Sequence, residues 1–223
     1  PDGYTLLFTT PGTHTAVLFT FKSLPYDPIA DFTPITAAVK QSGVILVNNA
    51  TGARNWAEFI AYAKKNPGKM AYATAGLGSS FHLAAETLKR SAGIDIFHVP
   101  YKGGAPVAQA ILSGEVPIAL VSNTSGMSTV RTGRVTAVAI LGPKPLPEFP
   151  GVPIISQLAA NVERPGDWLG FYAPAGLPAP LLGRLHTEIV KVLRLPEVVS
   201  ALAKSGMEVY ANTPAEFKQQ LLD

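Results

Sequence analysis

The sequence predicts an α/β protein, and three observations carry that expectation. Between residues 44 and 141, apolar runs of strand length alternate with segments of helical period, the order that a parallel sheet with crossover helices produces. The helical segments carry local start and stop signals, such as Asn55 with Glu58 before one and Gly93 after another. The chain of 223 residues holds 20 glycines and 20 prolines, enough to punctuate many short elements with fixed turns. Its length suits one large domain or two modest ones, and both stay open at this point.

Each element follows from local pattern. Tyr4 to Thr9 reads as a short buried strand, and the TTPGTHT loop after it is rich in hydroxyls. The two prolines of Leu24-Pro25-Tyr26-Asp27-Pro28 forbid regular structure and imply a packed surface loop. Asp27 and Asp31 lack the ligand spacing of an EF-hand and read as turn residues. Residues 34–48 give two extended pieces around Gln41-Ser42-Gly43, as if one left a domain and the next entered another, with Val44 to Val47 a buried central strand. Asn55 and Glu58 form a capping box for a helix with Trp56, Phe59, Ile60 and Ala63 on its apolar face, ending at Asn66-Pro67-Gly68.

Met70 to Ala75 is then a strand, Gly76 to Ser80 a turn, and the following segment a helix with Phe81, Ala84, Leu88 and Ala92 on one face. Ser79 or Ser80 caps it, and Lys89 and Arg90 fill the last turn before Gly93. A strand from Ile94 to Val99 leads into the turn Tyr101 to Gly104, and a helix starting near Pro106 closes at Gly114. Val116 to Val121 exits into Ser122-Asn123-Thr124-Ser125-Gly126, and a short helix to Gly133 precedes a strand from Val135 to Leu141. Residues 142–166 are proline-rich and irregular apart from a helical turn near Ile155 to Ala160. Trp168 to Ala173 is an apolar strand, followed by an amphipathic helix carrying Leu182, Leu185, Ile189 and Leu193. A helix from Pro196 to Gly206, a strand from Met207 to Tyr210 and a capping box at Thr213-Pro214-Ala215-Glu216 complete the chain.

Composition removes several function classes. Charged residues are 15% of the chain with a net charge of +3, dispersed and not gathered into a stripe, which disfavours a nucleic-acid surface and admits a small anionic ligand. Without cysteine there is no catalytic thiol and no thiolate metal site. No apolar run reaches the roughly 20 residues of a spanning helix, so the chain itself is read as not membrane-embedded.

The strand–turn–helix at Gly76-Leu77-Gly78 points unpaired N–H groups at whatever lies above the sheet, and its glycines let the backbone come close. It is no dinucleotide fingerprint, since Phe81 stands where the third glycine belongs, and no Gly-Lys-Ser/Thr follows. Beside the hydroxyl-rich turns at 9–15 and 122–125, it reads as an anion site. No Gly-x-Ser-x-Gly elbow is present, so Ser79 and Ser80 read as donors and no catalytic residue is assigned. His82 and His98 could meet across the βαβ unit, but no third ligand is identifiable and no metal or cofactor is expected; His82 reads as a neutral side chain fixing the turn. Lys102 is either a charge partner for an anion or a solvated turn residue, and Tyr101 either a pocket wall or core.

These segments also carry a resemblance. PDGYTLL, LPYDPIADFTPI, NPGKMAYATAGLGSSFHLAAE, HVPYKGGAP, WLGFYAPAGLP and TPAEF, in this order, resemble the periplasmic solute-binding proteins of tripartite tricarboxylate transporters, the Bordetella-uptake-gene (Bug) type. The resemblance covers nearly the whole chain. It implies a two-domain, hinged fold of the type II periplasmic-binding-protein kind, with parallel-rich sheets flanked by helices and a cleft between domains. The domains would be 1–40 with 166–223, incomplete at its N-terminus, and 41–165, the ligand-clamping one. It implies no enzyme but a periplasmic binding protein that takes a small organic carboxylate and serves integral membrane permease subunits. An α/β enzyme acting on a small anionic substrate is the alternative. The implied ligand-binding residues are Thr10 and Thr13, Gly76, Gly78, Ser79, Ser80 and His82, Tyr101 and Lys102, and Ser122 and Asn123. The family's upstream initial strand and glycine-rich loop have no counterpart here, so the first domain's half of the clamp is expected to be missing from this sequence.

Overall fold

The computed structural model describes residues 2–162 and 168–222. The expected domain crossing at 165/166 lies outside the described residues. In chain order the elements are β1 (Leu7–Thr9), α1 (Val17–Thr20), β2 (Phe32–Gln41), β3 (Gly43–Asn48), α2 (Trp56–Lys65), β4 (Met70–Thr74), α3 (Ser80–Ala92), β5 (Ile96–Pro100) and α4 (Gly104–Ser113). There follow β6 (Ile118–Ser122), α5 (Asn123–Val130), β7 (Val135–Leu141), β8 (Trp168–Pro174), α6 (Ala179–Leu193), α7 (Pro196–Lys204), β9 (Met207–Val209) and α8 (Pro214–Leu222). They gather into two compact units, Pro1–Gln41 with Gly166–Asp223, and Ser42–Pro165.

The second unit is a five-stranded sheet in the order β5-β4-β6-β3-β7 with helices on both faces. Its central strand β3, GVILVN, is buried throughout because both faces are covered, as the unbroken apolar run predicts. Ile45 and Val47 join one core with Phe59 and Ala63 of α2 and Ala84, Ala85 and Leu88 of α3. Val44 and Leu46 join the other with Val107, Ala110 and Ile111 of α4. Fully burying each such Leu, Ile or Phe is worth about 1.5–3 kcal/mol. Strand direction departs from a simple parallel sheet. β4 runs parallel to β5 and β6, whereas β3 is antiparallel to both β6 and β7. The crossover helices do set one direction for β4 to β7; β3 precedes the first crossover and slots in reversed between β6 and β7.

The first unit is a four-stranded sheet in the order β1-β8-β2-β9, antiparallel at every pairing. Parallel richness therefore does not extend to this sheet. Its chain direction explains why: β2 runs out towards Gln41 while β8 runs back in from Trp168, so the two oppose each other along Phe32↔Pro174 to Lys40↔Trp168. Its core is Ala37, Trp168, Tyr172 and Phe217 on one side. Ile35, Ala173 and Leu177 lie on the other, under Leu181, Leu182, Leu185 and Ile189 of α6. The expected burial of Tyr4 to Thr9 is not found: among the described residues β1 pairs only with β8, and Tyr4, Leu7 and Phe8 stand exposed. Asp27 does act as a turn residue, its Oδ1 accepting from Ile29 N at 2.9 Å and Ala30 N at 2.8 Å.

Candidate functional site

Because β4, β5 and β6 are parallel, Thr74, Pro100 and Ser122 end on one edge of the second unit's sheet, and each strand feeds a helix there. The first turns of α3, α4 and α5 therefore open towards that edge, presenting N–H groups that have no acceptor within their own helices. The three turns lock together. Tyr101 N donates to Thr74 O at 3.0 Å and Gly103 N to Ala75 O at 3.3 Å. A Cβ on Gly104 would lie 3.3 Å from Ser125 Oγ, so the starts of α4 and α5 are in contact.

The Gly76–Ser80 turn needs its glycines. Gly76 has φ 151° and Gly78 φ 73°, in the region where a side chain is strained. Ser79 is the N-cap of α3, its Oγ accepting from His82 N at 3.2 Å. His82 returns the favour, its Nδ1 accepting from Gly78 N at 3.2 Å. Behind it His98 stacks on His82 with centroids 4.1 Å apart, and His98 Nε2 meets Thr74 Oγ1 at 2.7 Å. Thr74 Oγ1 in turn donates to Gly76 O at 3.1 Å. Tyr72 OH donates to Glu86 Oε1 at 2.6 Å, and Lys89 Nζ donates to the same carboxylate at 2.9 Å.

Burial sets the charge states. It pushes His98 down to about 4, assisted by His82, and lowers His82 against the pull of Glu86. Burial alone would raise Glu86, but the Tyr72 hydroxyl and Lys89 outweigh it and hold the carboxyl below its ordinary value. Burial, then Glu86, raises Tyr72. The layer under the turn is thus two neutral imidazoles beside one ion pair.

The other predicted residues fall as follows. Ser80 is half-buried in the first turn of α3. Lys102 is exposed in the 101–104 turn. Tyr101 packs its ring against the core, and its hydroxyl donates to Glu115 Oε1 at 2.7 Å; burial and that carboxylate push it up to about 12. Ser122 caps α5 by accepting from Ser125 N at 3.3 Å, and Asn123 is fully buried with its N–H donating to Ser42 O at 3.0 Å. Thr10 and Thr13 belong to the first unit and are exposed; Thr13 Oγ1 lies 2.7 Å from Thr9 Oγ1 and donates to Thr10 O at 3.0 Å. Sequence reasoning missed Thr74, whereas Ser125 falls within the 122–125 turn it singled out. Thr74 could have been found from alternation, since it shares a strand face with Tyr72, which pairs with His98. Among the described residues no group of three or more His, Asp or Glu could hold a metal ion, and no helix is long and apolar enough to cross a membrane.

A sheet edge of this kind, with three helix N-termini, glycine turns and hydroxyls, is suited to receiving a small anion. The chain belongs to the tripartite tricarboxylate transporter family receptors, whose family model matches residues 1–223. It is 33% identical over 217 residues to the UPF0065 protein in the tcbD-tcbE intergenic region of Pseudomonas sp. (strain P51), covering 96% of this chain and 63% of that protein. It is 29% identical to BugT of Bordetella pertussis, covering 100% of this chain and 68% of that one. The chain thus spans roughly two thirds of the length of these relatives. Among solved structures, MatC of Rhodopseudomonas palustris with bound malate superposes with a TM-score of 0.89 at 28% identity, over 100% of this chain and 76% of that one. Rpa4515 of R. palustris with adipate gives 0.93 at 26% identity, over 99% and 74%. The periplasmic binding protein BugD gives 0.88 at 29%, over 100% and 76%. These likenesses agree with the α/β fold class.

Proposed function

We propose that this chain is a periplasmic solute-binding protein that receives a small organic carboxylate and delivers it to the integral membrane permease subunits of a tripartite transporter. The observation that carries this reading is the convergence of three helix N-termini on one edge of the second unit, one of them opened by the glycine and serine turn Gly76 to Ser80, within a family of transporter receptors. A carboxylate there would be held by charge-assisted hydrogen bonds. Malate and adipate on the structural relatives support that ligand class. In this reading the second unit clamps one carboxylate in a cleft between the units, and the first unit, with Thr10 and Thr13, faces it. Nothing in the site calls for bond-making chemistry. Calorimetric titration with mono-, di- and tricarboxylates tests the proposal: binding of at least one, weakened by changes at Ser79, is expected, and no binding of any by the full-length protein overturns it.

A further inference from the structure

The start of α3 is a capping box with an unusual partner. In such a box the N-cap side chain accepts from the N–H three residues on, and the side chain at that third position reaches back to cap the entering backbone. At α2 the returning group is a carboxylate: Asn55 Oδ1 accepts from Glu58 N at 3.0 Å, and Glu58 Oε2 accepts from Arg54 N at 2.7 Å. At α3 the same two bonds are made by Ser79 Oγ and His82 Nδ1, the latter receiving Gly78 N–H. A carboxylate keeps its acceptor throughout the neutral range, whereas an imidazole can lose it.

We propose that His82 is a proton-sensitive latch on the Gly76–Ser80 turn: neutral, it holds Gly78 in the anion-receiving conformation, and protonated at Nδ1, it releases it. The geometry makes the consequence direct. Nδ1 accepts a backbone N–H, so a proton placed there sets two donors against each other and breaks the bond. The added charge also lies at the N-terminal end of α3, where the helix dipole disfavours a cation. His98, stacked at 4.1 Å, backs the ring and itself anchors the turn through Thr74 to Gly76 O. The charged and titratable groups around the pair are Glu86 and Lys89 on α3, Tyr72 on β4 and His98 on β5; for His82, burial and Lys89 oppose the imidazolium while Glu86 favours it. The latch holds at neutral pH and opens as pH falls below the ordinary histidine range. For its effect on ligand affinity the proposal rests on the carboxylate-binding reading above; for the turn itself it does not.

The test follows the Gly76 and Gly78 amide signals by NMR without ligand from pH 7.5 to 4.5, in the wild type and in His82→Asn, whose side-chain oxygen can still accept from Gly78 N–H but does not titrate. The proposal expects both amides to move in step with the His82 ring in the wild type and to stay still in the variant. His98→Asn, which removes the stacked ring, should shift the midpoint upwards. Malate affinity at pH 7.5 and 5.0 forms the second arm. The wild type should lose roughly tenfold more than His82→Asn, the worth of one released hydrogen bond, since malate's own titration affects both alike. Loop amides that follow His82 without binding of malate or any other carboxylate of the panel would uphold the latch and tell against the carboxylate reading. Malate binding with loop amides indifferent to His82 overturns the latch and leaves that reading intact. Affinity that rises on acidification through His82 also overturns it, since the imidazolium would then be a ligand and not a release.

Discussion

Gly43→Ala tests how tightly the sheet positions the candidate site. Gly43 opens β3 with a backbone conformation open to any residue, so its lack of a side chain is a matter of space. An alanine Cβ would lie 2.4 Å from Phe81 Cε1 and 3.1 Å from the Val121 carbonyl oxygen, against about 3.5–4.0 Å for comfortable carbon contact. Replacing glycine by alanine would otherwise gain about 0.4–1 kcal/mol from the stiffer unfolded chain. Overpacking costs about 1–3 kcal/mol, and with a fixed carbonyl on one side the Phe81 ring has to move. A net loss of about 1–2 kcal/mol is expected. Phe81 follows Ser80 at the start of α3, so the displacement also reaches the turn capped by Ser79. Urea unfolding of the wild type, Gly43→Ala, Phe81→Leu and the double variant measures this directly. The smaller leucine should relieve the clash, giving a favourable coupling of about 1 kcal/mol. A Gly43→Ala variant as stable as the wild type, or strict additivity in the double variant, would refute the reasoning.

Three further outcomes are expected. Ser79→Ala should lose about 1 kcal/mol with the cap, while Ser79→Asp, which can still cap, should stay near wild-type stability yet lose carboxylate affinity in calorimetry through charge repulsion. Asn212→Ala removes the oxygen that accepts Ala37 N at 2.7 Å in the buried centre of the first unit and should cost about 1–3 kcal/mol by urea unfolding. His14 is 1% exposed, stacks on Tyr172 at 4.0 Å and is pushed by burial from 6.5 down to about 4. The unfolded chain therefore binds the proton first, so stability is full above pH 6.5 and falls as pH drops towards 4, by on the order of 2–3 kcal/mol. His14→Phe should flatten that slope, measured as the urea midpoint at several pH values.

Local signals in the sequence carried far. Ser79, Gly93 and the spacing of Ala84 and Leu88 define α3 because caps and helical faces depend on near neighbours, and Val44 to Val47 reads as buried because both sides of an inner strand must be apolar. Pairing depends on distant residues, and there the reading fell short. Nothing within Gly43–Asn48 tells that it lies antiparallel between β6 and β7, and the apolar Tyr4 to Thr9 does not reveal that its strand Leu7–Thr9 ends the sheet order beside β8 among the described residues. At the candidate site, Gly76 to Ser80 announces itself through glycine and serine, whereas Thr74 matters through the hydrogen bond of its Oγ1 to His98 Nε2 on the neighbouring strand, where Tyr72 is the residue paired with His98.

The reversed strand of the second unit has a kinetic side. β6 and β7 are joined through α5 and are close in sequence, yet the sheet leaves a gap between them about 10 Å wide, two strand spacings, that only residues 43–48 fill. Segments 70–141 can form their local crossovers early, but the seam closes only when a strand from well upstream inserts and satisfies both open edges at once. Such a long-range step is slow by its loop entropy. Until it occurs, two unpaired strand edges in the middle of the sheet stand open to other chains.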